Sequence, residues 1–283
     1  MCRLLGYLGQ SIVLDRLLFK PDHSLIVQSY APKEMTAGLM NADGFGLGWY
    51  HPTRRDLPYT YRNILPIWND ANLPSLSRYI ESGCVVASVR SATPGLAVNL
   101  SNCPPFQSDR LLIVHNGFIE NFHQTLYRSL RARLADAEYQ AIQGSTDSEH
   151  LFALILQTWR QQCSADADTP VEVAIAQVIQ QVFDLAEQFN PNTDEALTVG
   201  ANMIVSDGDR LIACRASNRD PVPTLYWSKE DELFPEAVVV ASEPLFDGKW
   251  QSLPEQSILT VESNLNVNIQ SISDVATHQA WVA

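Results

Sequence analysis

Short apolar runs separated by turn residues set the strongest constraint on how this chain of 283 residues can fold. Eight such runs occur, at 4–8, 45–50, 84–89, 111–114, 198–205, 210–213, 237–240 and 258–261. Their length and their β-branched content predict strands. The Asp207-Gly208 pair between two of these runs predicts a hairpin turn.

Two longer segments predict helices. The first begins at Thr146-Asp147-Ser148-Glu149, which has the Thr-x-x-Glu pattern of a capping box. The second covers about 171–189, where apolar residues recur at helical spacing. Strands come first, then two helices, then further strands, and this order favours a layered α+β fold over a doubly wound sheet. No break in composition divides the chain, so we expect one domain over residues 2–283.

Charge and hydropathy exclude several classes of function. The net charge of −13 argues against nucleic-acid binding and against docking on anionic membranes. No apolar run approaches the ~20 residues that a membrane-spanning helix needs. The run at 11–14 is followed at once by Asp15 and Arg16, which does not fit a signal peptide. We therefore expect a cytoplasmic protein without nucleic-acid or membrane partners.

The cysteines separate into structural and reactive candidates. They lie at positions 2, 84, 103, 163 and 214, an odd number without a C-x-x-C pair, which argues against a disulfide framework or a zinc cluster. Cys84 and Cys214 lie in predicted strands, so we expect buried thiols there. Cys2 becomes the first residue if Met1 is removed. Its α-amine, titrating near ~8, could then accept the proton of its own thiol.

Four polar segments lie at the ends of predicted elements. Arg90-Ser91-Ala92-Thr93-Pro94-Gly95 and His115-Asn116-Gly117 each follow a strand, Asp147 begins the first long helix, and the glycine-containing segment 43–49 enters another strand. Each alone has an ordinary explanation as a turn, a helix cap or a surface ion pair. The glycines lack G-x-G-x-x-G spacing and no helix follows them, which argues against a dinucleotide site.

Together with Cys2, these segments supply what hydrolysis of a γ-glutamyl amide needs at the reacting carbonyl. Cys2 is the candidate nucleophile, and its α-amine is the candidate base. The side-chain amide of Asn116 and the backbone N–H of Gly117 are candidate donors to the oxyanion of the tetrahedral intermediate.

The remaining residues are candidates for holding the glutamyl group. The planar cation of Arg90, helped by the Thr93 hydroxyl, suits the α-carboxylate of the substrate. The Asp147 carboxylate suits its α-ammonium group. This chemistry requires no metal and no organic cofactor, so we expect none.

These motifs resemble those of the class II glutamine amidotransferases, which are N-terminal nucleophile hydrolases. In that family a Met-Cys start, Arg-x-Ala-Thr, His-Asn-Gly-x-Ile-Glu-Asn and Thr-Asp-(Ser/Thr)-Glu recur in this order. The present chain has Met1-Cys2, Arg90-Ser91-Ala92-Thr93, His115-Asn116-Gly117-Phe118-Ile119-Glu120-Asn121 and Thr146-Asp147-Ser148-Glu149. The resemblance implies a four-layer αββα sandwich of two antiparallel sheets.

A narrower resemblance covers nearly the whole chain. The segments 1–9, 23–29, 43–50 and 241–245 are similar to those of the free-standing hydrolases of ergothioneine biosynthesis. That branch removes the γ-glutamyl group from γ-glutamyl-hercynylcysteine S-oxide, which implies a small-molecule substrate and no fused synthase domain. The chain departs from the family at Ser88 and Pro104, where histidine is frequent.

Alternative functions remain open at this point. The same residues suit a glutaminase that supplies ammonia to a separate synthase, or a γ-glutamyl peptidase acting on glutathione-like thiols. A non-catalytic binding protein of the same fold is a third alternative. The loops at 31–44 and 57–76 are the segments that we expect to shape leaving-group specificity, and neither carries a recognisable motif.

Overall fold

Two antiparallel sheets form the centre of the computed structural model, which describes residues 1–35, 38–51, 53, 57–93, 95–189 and 197–277. In spatial order, the strands of the first sheet are β11 (Gln251–Ser252), β9 (Tyr226–Asp231), β10 (Phe234–Ala241), β1 (Arg3–Val13), β4 (Glu81–Val89), β2 (Phe45–Trp49) and β3 (Tyr59–Asn63). Those of the second are β13 (Val267–Ser271), β12 (Ser257–Val261), β8 (Leu211–Arg215), β7 (Val199–Ser206), β6 (Leu111–Ile119) and β5 (Phe106–Ser108).

Helices cover the outer faces of both sheets. In chain order they are α1 (Asp15–Leu18), α2 (Leu25–Tyr30), α3 (Leu73–Tyr79), α4 (Tyr127–Arg131), α5 (Asp136–Ala141), α6 (Asp147–Ala165), α7 (Val171–Gln188) and α8 (Ile272–Ala276). Short 3₁₀ turns occur at Ile67–Asn69 and Leu100–Asn102. No helix within the described ranges is both long enough and apolar enough to cross a membrane.

Three apolar cores hold these layers together. Side chains of the two sheets interdigitate in the central core, where Leu4 of β1 and Val114 of β6 are fully buried. Helices α6 and α7 pack on the outer face of the second sheet, and α1, α2 and α3 pack on the outer face of the first. The order helix, sheet, sheet, helix confirms the four-layer α+β sandwich expected from the resemblance.

The sequence pattern located the buried elements well. All eight predicted strands are present, the Asp207-Gly208 turn joins β7 to β8, and the second long helix ends within a residue of its predicted end. Cys84 and Cys214 are buried, as expected.

Two local predictions were wrong in detail. The segment His115-Asn116-Gly117 does not follow the strand predicted over 111–114 but continues it as part of β6, paired with β7 as far as Ile119. The capping box is half formed: the Thr146 hydroxyl accepts a hydrogen bond from the backbone N–H of Glu149 at 3.3 Å. The Glu149 carboxylate instead accepts from the backbone N–H groups of Gln143 and Gly144, at 2.8 and 2.7 Å.

Candidate active site

The first strand places Cys2 beside the end of β4. Arg3 lies opposite Val89 in the antiparallel β1–β4 pair, so Cys2 and Arg90 are neighbours just beyond the last paired residues. The Cys2 thiol is half-buried, with Sγ 3.9 Å from the carbonyl oxygen of Ser91. The candidate nucleophile and the candidate carboxylate clamp therefore lie side by side at the ends of two central strands of the first sheet.

Asp43 fixes the segment that follows β4. The buried Arg90 side chain donates from Nη1 to the Asp43 carbonyl oxygen at 3.2 Å, and the Asp43 backbone N–H donates to the Arg90 carbonyl at 3.0 Å. The Asp43 carboxylate accepts a hydrogen bond from the backbone N–H of Ala92 at 2.8 Å. Asp43 was not among the residues singled out from the sequence, although it lies in the glycine-containing segment noted there.

Asn116 is the least satisfied buried side chain at this end of the sandwich. It lies on β6 opposite Asn202 of β7, and only 1% of it is exposed. Within the described part of the chain, neither its amide nitrogen nor its amide oxygen has a hydrogen-bond partner. Such orphaned groups are rare in folded proteins and cost about 1–3 kcal/mol each. An amide held in this state is ready to donate to a ligand.

Gly117 is required by the close approach of two strands. A Cβ atom at this position would overlap the carbonyl oxygen of Gly200 on β7 and Nε2 of His115. Any side chain would therefore push β6 away from β7 at the residue next to Asn116.

A buried network connects β6 to the start of α6. His115 contacts the Gly200 carbonyl through Nε2 at 3.2 Å and the Ser148 hydroxyl through Nδ1 at 2.8 Å. Because a carbonyl can only accept, Nε2 carries the proton and Nδ1 accepts from Ser148. Burial lowers the pKa of His115, which agrees with this neutral form.

Asp147 belongs to the same junction. One of its oxygens accepts from the backbone N–H of Ile119 at 2.8 Å, and the other accepts from the backbone N–H of Ser148 at 2.7 Å. The carboxylate thus lies at the N-terminus of α6, where the helix dipole favours negative charge. It also ties that helix to the last residue of β6.

A cavity of about 500 Å³ lies beside this junction. Thr93 and Leu96 line one side, and Phe118, Ile119 and Asp147 line the other. Thr93 and Asp147, the two candidate groups for opposite ends of a glutamyl moiety, therefore share one cavity next to Gly117. Cys2 and Asn116 lie near this cavity: Cys2 contacts Ser91, two residues before Thr93, and Asn116 lies two residues before Phe118.

A second buried cluster, which sequence reasoning missed, lies behind Cys2. Glu243 binds Arg3 and His23 there. Burial alone would raise the pKa of the Glu243 carboxyl. Hydrogen bonds from His23 and from the backbone of Lys33 and Glu34, with the charge of Arg3, instead lower this pKa to about 2. Each of these side chains lies in a segment noted from the sequence, but nothing in the spacing shows that they meet.

Several known proteins are similar to this chain. The family model of the class II glutamine amidotransferases matches residues 1–226. A probable glutamine amidotransferase of Saccharomyces cerevisiae is 33% identical over 294 residues, covering 93% of this chain and 82% of the relative. A Mycobacterium tuberculosis protein named gamma-glutamyl-hercynylcysteine sulfoxide hydrolase is 31% identical over 264 residues, covering 92% and 93%.

Solved structures show the same fold. A glutamine aminotransferase class-II domain protein of Silicibacter pomeroyi superposes with a TM-score of 0.66 at 23% identity, over 95% of this chain and 98% of the other. The glutamine phosphoribosylpyrophosphate amidotransferase of Bacillus subtilis gives a TM-score of 0.62 at 15% identity, over 95% of this chain and 49% of the other. With the family model spanning most of its length, this chain belongs to the class II glutamine amidotransferases, a family of enzymes.

Proposed function

We propose that the protein hydrolyses a γ-glutamyl amide through Cys2, once Met1 has been removed. The observation that carries this proposal is the buried Asn116 amide without partners, placed beside Gly117 at the end of the sandwich where Cys2 lies. A preorganised donor of this kind acts where negative charge develops on a carbonyl oxygen in the transition state.

The first step forms a thioester. The Cys2 thiol gives its proton to the Cys2 α-amine, and the sulfur attacks the γ-carbonyl carbon. The oxyanion accepts hydrogen bonds from the Asn116 side chain and the Gly117 backbone N–H. The C–N bond then breaks as the α-ammonium group gives its proton to the departing amine.

The second step releases glutamate. The neutral α-amine takes a proton from water, and the resulting hydroxide attacks the thioester carbonyl through the same oxyanion site. The C–S bond breaks, and the thiolate recovers a proton. No other co-reactant is needed for this balance.

The glutamyl group is held at the end that lies opposite the reacting γ-carbonyl. Arg90 and Thr93 bind its α-carboxylate, and Asp147 binds its α-ammonium. Each Asp147 oxygen accepts one backbone hydrogen bond in the structure, and an ionised carboxylate has about four acceptor sites in total. It can therefore keep both backbone contacts and still accept from the substrate.

For the leaving group, we propose hercynylcysteine S-oxide. The support is the relationship to the mycobacterial hydrolases at 31% identity, together with the four matching segments at 1–9, 23–29, 43–50 and 241–245. Glutamine is the second candidate, because the yeast relative is named a probable glutamine amidotransferase. Glutamate release from γ-glutamyl-hercynylcysteine S-oxide, glutamine and glutathione, compared as kcat/KM, decides between them.

The nucleophile is tested by two forms of the protein. Cys2→Ala, and a form that retains Met1 as shown by its intact mass, should both lose glutamate release. Cys163→Ala is the matched control, since that thiol is also half-buried but lies near the far end of α6, about 24 Å along the helix from Asp147. Full activity in either test form would exclude an N-terminal cysteine nucleophile.

A further inference from the structure

Three segments noted from the sequence, and given no part in the chemistry above, converge behind Cys2. They contribute Arg3 from 1–9, His23 from 23–29 and Glu243 from 241–245. Arg3 and Glu243 are each only 1% exposed. A buried ion pair is costly to desolvate, so its presence next to the candidate nucleophile calls for a specific role.

The Glu243 carboxylate is surrounded by donors. Oε1 accepts from Nη1 of Arg3 at 2.9 Å and from the backbone N–H of Glu34 at 3.1 Å. Oε2 accepts from Nε2 of His23 at 2.7 Å and from the backbone N–H of Lys33 at 2.8 Å. We call Arg3, His23, Glu243 and these two backbone groups the Glu243 cluster. The Glu243 carboxylate, just beyond the end of β10, thereby joins the start of β1 to residues on both sides of α2.

The cluster reaches Cys2 through the guanidinium group of Arg3. While Nη1 binds Glu243, Nε donates to the Cys2 carbonyl oxygen at 2.7 Å. The β1–β4 ladder begins only at Arg3, so Cys2 lies outside it. Chain termini fray unless they are tied down, and a nucleophile at a terminus has to be ordered. The Arg3 side chain supplies that tether, and Glu243 fixes its direction.

The same carboxylate holds the backbone of Lys33 and Glu34, which follow α2. Gly38 also lies beside the N-terminus, because a Cβ there would be 3.8 Å from the Met1 backbone nitrogen. The Glu34 carboxylate also accepts a hydrogen bond from the Tyr226 hydroxyl at 2.9 Å. Glu243 therefore fixes both the start of β1, through Arg3, and the backbone of Lys33 and Glu34.

We propose that Glu243, acting through Arg3, is a positioning residue that fixes the Cys2 backbone for attack on the substrate. This inference rests on the proposed function, because it assumes that Cys2 is the nucleophile. Glu243 also balances the Arg3 charge, so the guanidinium group can hold the Cys2 carbonyl without placing an uncompensated cation beside the thiol.

The test uses γ-glutamyl-p-nitroanilide as the probe and the variants Glu243→Gln and Arg3→Lys. A lysine keeps the charge of Arg3 but cannot donate to Cys2 and Glu243 in the same fork. We expect kcat to fall roughly 10- to 100-fold, the range that a displacement of about 1 Å costs, while KM stays within about threefold. KM is spared because Arg90 and Asp147, which hold the glutamyl group, lie outside the cluster.

A double variant tests whether Glu243 acts through Arg3. If it does, Arg3→Lys combined with Glu243→Gln should be no more than about threefold slower than the slower single variant. If the reductions in kcat of the two single variants instead multiply in the double variant, Glu243 does not act through Arg3. Glu172→Gln is the matched control, because Glu172 is also a mostly buried acid paired with an arginine, Arg210 at 3.5 Å, near the β7–β8 turn at the other end of β7. It should keep wild-type kcat.

Two results would overturn the proposal: wild-type kcat in folded Glu243→Gln or Arg3→Lys, or an effect confined to KM. If thermal unfolding shows that Glu243→Gln does not fold, the variants Arg3→Lys and His23→Gln provide the test. Labelling of Cys2 by 6-diazo-5-oxo-norleucine separates this proposal from the function itself. A wild-type protein that is neither labelled nor active refutes the proposed function, whereas labelling at equal rates in wild type and variants refutes only the positioning role.

Discussion

Asn116 and Asn202 offer a matched pair for testing whether the site is held ready for an oxyanion. The two residues face each other across β6 and β7, and both are buried. They differ in their partners. The Asn202 amide nitrogen donates to the Pro223 and Thr224 carbonyls at 2.9 and 3.3 Å, and its oxygen accepts from the Ala216 backbone at 3.2 Å. Asn116 has no such partners within the described ranges.

Valine at each position should therefore have opposite effects on stability. Asn116→Val removes a buried amide without partners and adds a β-branched side chain to a strand, so the free energy of unfolding should rise by up to about 1–3 kcal/mol. Asn202→Val removes the hydrogen-bond partner of the Ala216 N–H and of the Thr224 carbonyl, and the free energy of unfolding should fall by about 1–3 kcal/mol. Asn116→Val should thus be the more stable of the two variants by at least about 1 kcal/mol.

In Asn116→Val, activity should fall although stability rises. Loss of one oxyanion donor costs about 10²–10³ in kcat, equivalent to about 2.7–4 kcal/mol. Urea unfolding gives the stability of each variant, and glutamate release gives kcat/KM. The reasoning is refuted if Asn116→Val is destabilised as much as Asn202→Val, or if it keeps kcat/KM within tenfold of wild type.

Three further predictions concern stability. Gly117→Ala should lower the midpoint of urea unfolding and abolish glutamate release, because the new methyl group overlaps the Gly200 carbonyl and separates β6 from β7; an unchanged midpoint would contradict this close approach. The folded-state pKa of Glu243, about 2, lies below its ordinary value of 4.5, so its contribution to stability is complete above about pH 4.5 and is lost as the pH falls towards 2. Glu243→Gln should remove this part of the acid dependence of the unfolding free energy. For Glu172 the pH dependence has the opposite sign. Burial raises the pKa of Glu172, so the free energy of unfolding falls as the pH rises and this carboxyl ionises. Glu172→Gln should remove that decrease.

The fold was predictable where burial on both faces leaves a continuous apolar run. Strands such as β7 and β12, buried at every residue, stand out in the sequence for this reason. The edge strands β3 and β13 are half-exposed and carry mixed polar residues, so their sequence does not differ from that of a loop. The predicted loop at 57–76 accordingly contains β3 and the beginning of α3.

The candidate site divides in the same way. Asp147 and Asn116 could be singled out because each lies in a short motif whose residue types suit one step of the chemistry. The predicted end of this strand at residue 114 was too early because Asn-Gly favours turns locally, whereas pairing of β6 with β7 overrides that preference here. Glu243 could not be linked to Arg3, 240 residues away, since no local pattern reports a contact made by strand order alone.

Strand order also explains how Cys2, which we propose as the nucleophile, can be held in place although it lies near a chain terminus. β1 lies near the middle of its sheet, between β10 and β4. Arg3 therefore pairs with Val89 of β4 on one side and binds Glu243, just beyond the end of β10, on the other. Cys2 lies one residue before Arg3, next to Arg90. The hydroxyl of Ser242, the residue after β10, accepts a hydrogen bond from the Leu4 backbone N–H at 2.9 Å. The next residue, Glu243, binds Arg3. A terminus on an edge strand would lack one of these two neighbours. The central position of β1 therefore makes the N-terminus one of the better-supported points of this fold, and that support is what an N-terminal nucleophile requires.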